Sequence, residues 1–113
     1  MKTKREHYRS FNIAGFTYYD GPFFFEDLKI GTKLILKRDK KNKYDPQAIQ
    51  IMYKDVKIGY VPRVYNSTLY KLMKIGFRGL ECVITRRDPN ASSENQITVA
   101  VYFIKKDERR KER

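Results

Sequence analysis

Apolar and polar residues alternate through most of this chain with the period of two that belongs to half-buried strands. Residues 8–16 alternate loosely, with Phe11, Ile13 and Phe16 to one side, which predicts a first strand ending near Gly15. Asp20, Gly21 and Pro22 interrupt residues 18–25, so a turn separates Tyr18 and Tyr19 from the run Phe23, Phe24 and Phe25. Three consecutive phenylalanines cannot share one sheet face; some are expected in the core and one half exposed. In residues 32–38, Leu34 and Leu36 face one way while Lys33, Ile35 and Lys37 face the other. A lysine-rich loop over 39–45 follows. Residues 48–53 alternate again around Ile49 and Ile51, and Lys54 and Asp55 turn the chain into a strand over 56–61, a predicted hairpin closed by Pro62.

The period changes once. Leu69, Leu72 and Met73 stand at i, i+3 and i+4, which predicts a helix over 66–75 capped by Asn66 or Ser67 and stopped by Gly76. Two further strands are predicted near 80–85 and 96–104, joined by an exposed loop over 88–93. Six short strands with one helix between the fourth and fifth predict a mainly β, α+β fold: a strongly curved sheet or partly open barrel with the helix plugging one end.

The 113 residues suit one domain. Residues 1–7 read as a basic leader, 8–104 as the domain and 105–113 as a charged tail of both signs. Nine Tyr and seven Phe supply the aromatic bulk of a core that has no Trp. The formal net charge is +12, a balance that suits nucleic acid, an anionic membrane or an acidic protein. Within the folded part the excess is local: between Lys29 and Lys43 there are seven basic side chains against Asp39 alone.

Cys82 is the single cysteine, so no internal disulfide forms, and its place in LECVIT reads as a buried strand residue. The one histidine, His7, lies in the charged leader, which argues against a Cys–His nucleophile; one Cys and one His cannot close a zinc site. No stretch approaches the ~20 apolar residues of a membrane span. The expectation is a cytoplasmic protein, soluble and reduced, with no cofactor and no membrane partner.

The order of three elements is family-specific: GFTYYDG at 15–21, LILKRDKKNKYDPQAIQI at 34–51 and KIGYVPR at 57–63. Together they resemble the HIRAN domain, a module found at the N-terminus of helicase-like transcription factor and as free-standing bacterial proteins, over residues 8–104. The resemblance implies an OB-like barrel that captures the 3′-hydroxyl end of single-stranded DNA, in repair or replication-fork processing, alongside a separately encoded helicase or nuclease. It further implies that Tyr18 stacks on a terminal base, that Tyr44 and Asp45 contact the terminal nucleotide, and that Asn42 supports their loop. Tyr60 falls where a relative has another polar ring residue, and Thr17 stands where the DNA-end binder carries arginine. Tyr19, Lys40, Lys41, Lys43 and Arg63 complete the expected DNA-binding set.

The residue chemistry is compatible with that set. A tyrosine ring stacks on any base, contributing ~1–3 kcal/mol by alanine substitution, and lysines neutralise phosphates. A carboxylate only accepts hydrogen bonds, so Asp45 suits a hydroxyl and repels a phosphate. Each residue also has a plainer reading. Asp45 can form an Asx turn into Pro46, Tyr44 can cover the barrel end, Arg63 can pin the helix start, and Tyr18 and Tyr19 should point to opposite sides if the chain is extended. The alternative function is a protein-interaction adaptor docking through Phe23–Phe25 or a sheet edge. An enzyme is disfavoured, because Asp27, Asp39, Asp45 and Asp55 show no metal-ligand spacing.

Overall fold

The computed structural model describes residues 3–106. Its strands are β1 (Thr3–Asn12), β2 (Lys33–Arg38), β3 (Ile49–Tyr53), β4 (Val56–Tyr60), β5 (Leu80–Arg87) and β6 (Ile97–Lys106), with the helix α1 (Arg63–Lys74) between β4 and β5. All pairings are antiparallel, in the spatial order β1-β6-β5-β2-β3-β4. β2 links the two halves of the sheet: Lys33 and Leu34 face β5, whereas residues 35–38 face β3. The curved sheet is OB-like and is not a closed ladder.

One pair of residues joins its two edges. Ala14, just beyond β1, and Tyr60, the last residue of β4, exchange both backbone hydrogen bonds at 2.9 Å. The close approach depends on Gly59. Its φ is 154°, and a Cβ there would lie 2.3 Å from Ile13 Cγ2 and 2.6 Å from the Ala14 carbonyl oxygen. The β3–β4 register shifts between Ile51 and Met52, the irregularity expected where a glycine lets one backbone press on another.

The core follows the alternation. Ile13, Phe16, Leu28, Ile49, Ile51, Ile58, Leu69, Ile84, Ile97, Val99 and Val101 are essentially inaccessible, and each such apolar side chain contributes ~1.5–3 kcal/mol by leaving water. Cys82 lies among them, and burial pushes its thiol up to about 12.

Several expectations need correction. β1 begins at Thr3, so part of the stretch read as leader is strand. It lacks an apolar pattern because its side chains are held by charge: Arg5 pairs with Glu81 at 2.7 Å and lies 4.1 Å from the Tyr102 ring centroid. After Asn12 the chain leaves the strand, and Phe16–Tyr18 and Pro22–Asp27 are short 3-10 helices. None of the three phenylalanines is fully buried. Phe24 and Phe25 pack partly on the core, and Phe23 is exposed.

The helix starts three residues earlier than the stripe suggested. Pro62, with φ −54° and no N–H, ends β4 and leads into Arg63 without a side-chain cap. Asn66 is therefore inside the helix and buried, not a cap. At the other end Gly76, φ 92°, stops the helix as expected; its N–H donates to Met73 and that of Phe77 to Leu72, a Schellman arrangement. Lys105 and Lys106, read as tail, complete β6, and residues 107–113 of that stretch lie outside the described residues.

Candidate nucleic-acid interface

The Ala14–Tyr60 bridge decides where the candidate residues meet. It sets the 3-10 turn carrying the tyrosine pair against the end of β4, and there Tyr19 and Tyr60 lie with ring centroids 5.7 Å apart. Tyr19 is half-buried, whereas its neighbour Tyr18 is 79% exposed. The two rings thus divide between packing and solvent, in a 3-10 turn and not in an extended strand.

The lysine loop folds around Asn42. Its Oδ1 accepts from the backbone N–H groups of Tyr44 (2.8 Å) and Asp45 (2.9 Å), fixing the turn that points Tyr44 outward. Tyr44 is 88% exposed, so it does not cover the barrel end. Asp45 makes the Asx turn: its Oδ1 accepts from the Gln47 N–H at 2.9 Å. Its Oδ2 accepts from the buried Asn66 amide at 2.9 Å and lies 3.4 Å from Arg63 Nε. Burial opposes the charge, but the Gln47 and Asn66 hydrogen bonds and the Arg63 guanidinium hold this carboxyl below its ordinary value. The side chain keeps 19% of its surface in solvent. Each carboxylate oxygen has two lone-pair directions, so Oδ1 retains one acceptor position.

Arg63 occupies the first turn of α1 and also donates from its terminal guanidinium nitrogen to the Tyr44 carbonyl. It pins loop to helix while most of its side chain faces water. Lys40, Lys41 and Lys43 are all exposed and form no ion pair with the described carboxylates. Lys40 and Lys41, with Lys37 and Arg38, rim an open groove floored by Leu36 and Met73.

Three members of the cluster are not in the expected DNA-binding set. Asp39 Oδ2 accepts from the Tyr60 hydroxyl at 2.5 Å and from Asn42 Nδ2 at 3.4 Å. The Tyr60 hydrogen bond is the main cause that lowers the Asp39 carboxyl, while burial and donation to Asp39 raise the Tyr60 phenol. Lys57 Nζ donates to the Tyr60 hydroxyl at 3.1 Å. Asn66 joins Asp45 to the helix. The only sequence signal for Asp39 was that it is the lone acid in a run of bases. Lys57 opened the KIGYVPR element, and nothing marked Asn66 beyond a misplaced capping role.

Lys57, Tyr60, Asp39, Asn42, Asp45, Arg63 and Asn66 therefore form one hydrogen-bonded chain along the rim of the barrel, with Tyr18 at the tyrosine turn and Tyr44 on the lysine loop as exposed rings. Such a rim offers flat apolar faces, a hydroxyl acceptor and cations. Among the described residues no three His, Cys, Asp or Glu side chains are grouped to hold a metal ion, and no helix is long and apolar enough to cross a membrane.

The comparisons with known proteins agree on the fold. The family model of the HIRAN domain matches residues 8–104. The crystal structure of a protein from Lactobacillus plantarum superposes with a TM-score of 0.77 at 22% identity, covering 93% of this chain and all of the other. The crystal structure of the HIRAN domain of human HLTF superposes with a TM-score of 0.63 at 23% identity, covering 96% of this chain and 80% of the other. No curated protein shows significant sequence similarity.

Proposed function

The chain belongs to the HIRAN domain family, in general a DNA-binding module, and from that premise we propose that it binds single-stranded DNA at 3′-hydroxyl ends. Tyr18 and Tyr44 stack on the last bases, Asp45 accepts a hydrogen bond from the terminal hydroxyl, and Lys40, Lys41, Lys43 and Arg63 face the backbone. It works by binding and not by catalysis, as a cytoplasmic targeting part for a separately encoded helicase or nuclease in repair or fork processing.

One observation carries this reading. Two rings, 79% and 88% exposed, stand on the tyrosine turn and on the lysine loop, two segments joined by a hydrogen-bonded rim that holds a carboxylate with a free acceptor position. A tyrosine ring open to water on one face is free to stack, and a base supplies the matching face. The Asp39 and Asp45 carboxylates are engaged by side chains of the same rim, which suits holding a ligand better than coordinating a hydrolytic metal.

Fluorescence anisotropy with a short labelled single strand and the matching blunt duplex tests the proposal. The single strand should bind more tightly, with affinity falling as salt rises. Equal affinity for the duplex, or no binding to either, would remove it.

A further inference from the structure

We infer that Lys57 is a phosphate contact set against the tyrosine turn, holding the backbone phosphate that adjoins the base stacked on Tyr18. The inference rests on the proposed single-strand binding and adds a residue to that site. Lys57 is on β4, outside the lysine loop, and its ammonium sits 4.7 Å from the Tyr19 ring centroid and 5.0 Å from that of Tyr60.

Lys57 is half-buried, and its hydrogen bonding leaves donors unused. The Tyr60 hydroxyl donates its one proton to Asp39 at 2.5 Å, so it can only accept from Lys57, at 3.1 Å. An ammonium has three donors, and this bond uses one. Lys57 makes no ion pair with the described carboxylates. Asp39, the nearest acid of the rim, hydrogen-bonds to Tyr60 and Asn42 and acts on the ammonium across the shared Tyr60 hydroxyl, without a direct contact. The ammonium is thus a cation fixed between two ring faces with donors left over. Thr17, immediately before the tyrosine pair, carries no charge, and Asp20, just after it, is acidic and exposed. Lys57 is accordingly the cation that the structure sets against this turn, and a phosphate following a base on Tyr18 meets it there.

A lysine that only braced Tyr60 would predict something different from a lysine that neutralises a phosphate. Each phosphate contact to a single strand contributes about −0.7 to the slope of log affinity against log salt. Binding of a labelled oligothymidine should be measured across a salt series for the wild type, Lys57→Gln and Lys57→Arg, with thermal melting of each protein alongside. The expected result is a slope shallower by roughly 0.7 in Lys57→Gln, restored in Lys57→Arg, with the affinity deficit shrinking as salt rises. An unchanged slope in Lys57→Gln would overturn the phosphate contact, whatever happens to melting, while leaving single-strand binding intact. Failure of the wild type to bind the strand would overturn both.

Discussion

The buried amide of Asn66 donates to Asp45 Oδ2 at 2.9 Å, tying the first turns of the helix to the loop 21 residues earlier. Asn66 is the one buried polar side chain among the described residues, and its use is to aim a carboxylate. Removing it leaves Asp45 half-buried with a partner missing. A hydrogen bond to a charged group contributes about 1.5–3 kcal/mol, so Asn66→Ala should lower stability to urea by that order. It should also weaken strand binding, because Asp45 loses its orientation.

The two exposed tyrosines should act on affinity and not on stability. Tyr18→Ala and Tyr44→Ala each lose a stacking face, ~1–3 kcal/mol or roughly 5- to 150-fold in Kd. The loss should be similar on oligothymidine and oligoadenine strands, since stacking reads no sequence. Melting temperatures close to the wild type's would confirm that neither ring supports the core.

Gly59 should act on stability. Any side chain there meets Ile13 and the Ala14 carbonyl and adopts a φ suited to glycine. Gly59→Ala should cost roughly 1–3 kcal/mol in urea unfolding. Because the same contact holds Tyr60 against Ala14, the variant should also bind DNA more weakly even at temperatures where it is folded.

The acid limb of stability comes from the rim and from Glu81, whose carboxyl is lowered chiefly by its hydrogen bond from Lys33, with Arg5 adding to it. The Asp39 carboxyl is lowered chiefly by the Tyr60 hydroxyl; that of Asp45 is lowered by its hydrogen bonds and Arg63 against the opposing effect of burial. A carboxyl lowered on folding stabilises the protein above its unfolded value, and that contribution is lost as pH falls through the folded value. Melting temperature should therefore hold from neutral pH down to the ordinary carboxyl values, 4.5 for Glu81 and 3.8 for Asp39 and Asp45, and fall progressively below them. Asp45→Asn should flatten that fall; an equally steep fall in the variant would assign the acid sensitivity elsewhere.

The strand and helix periods made most of the fold legible. Leu34, Ile49, Ile51 and Leu69 lie buried on the faces their spacing gave them. What escaped was structure held by contacts between distant residues. The start of β1 is organised by Arg5 with Glu81 and Tyr102, which no local pattern announces. The helix start was misplaced because Pro62 sets it, while Asn66 has a polarity that fits a cap equally well. At the rim, Asn42, Tyr44 and Asp45 stand within one motif and were readable together. Asp39, Lys57 and Asn66 enter only because the Ala14–Tyr60 bridge and the first turns of α1 bring them within hydrogen-bond reach.

End recognition by Asp45 is the central claim, and the most direct measurement compares dissociation constants for one single strand ending in a 3′-hydroxyl, the same strand ending in a 3′-phosphate, and its circular form. The wild type should prefer the hydroxyl end, because a phosphate is repelled by the carboxylate and a circle offers no hydroxyl. Asp45→Ala should lose affinity for the hydroxyl end and little for the other two. Equal binding of all three by the wild type would contradict the account, and would leave a HIRAN fold that engages DNA, or another partner, without reading an end.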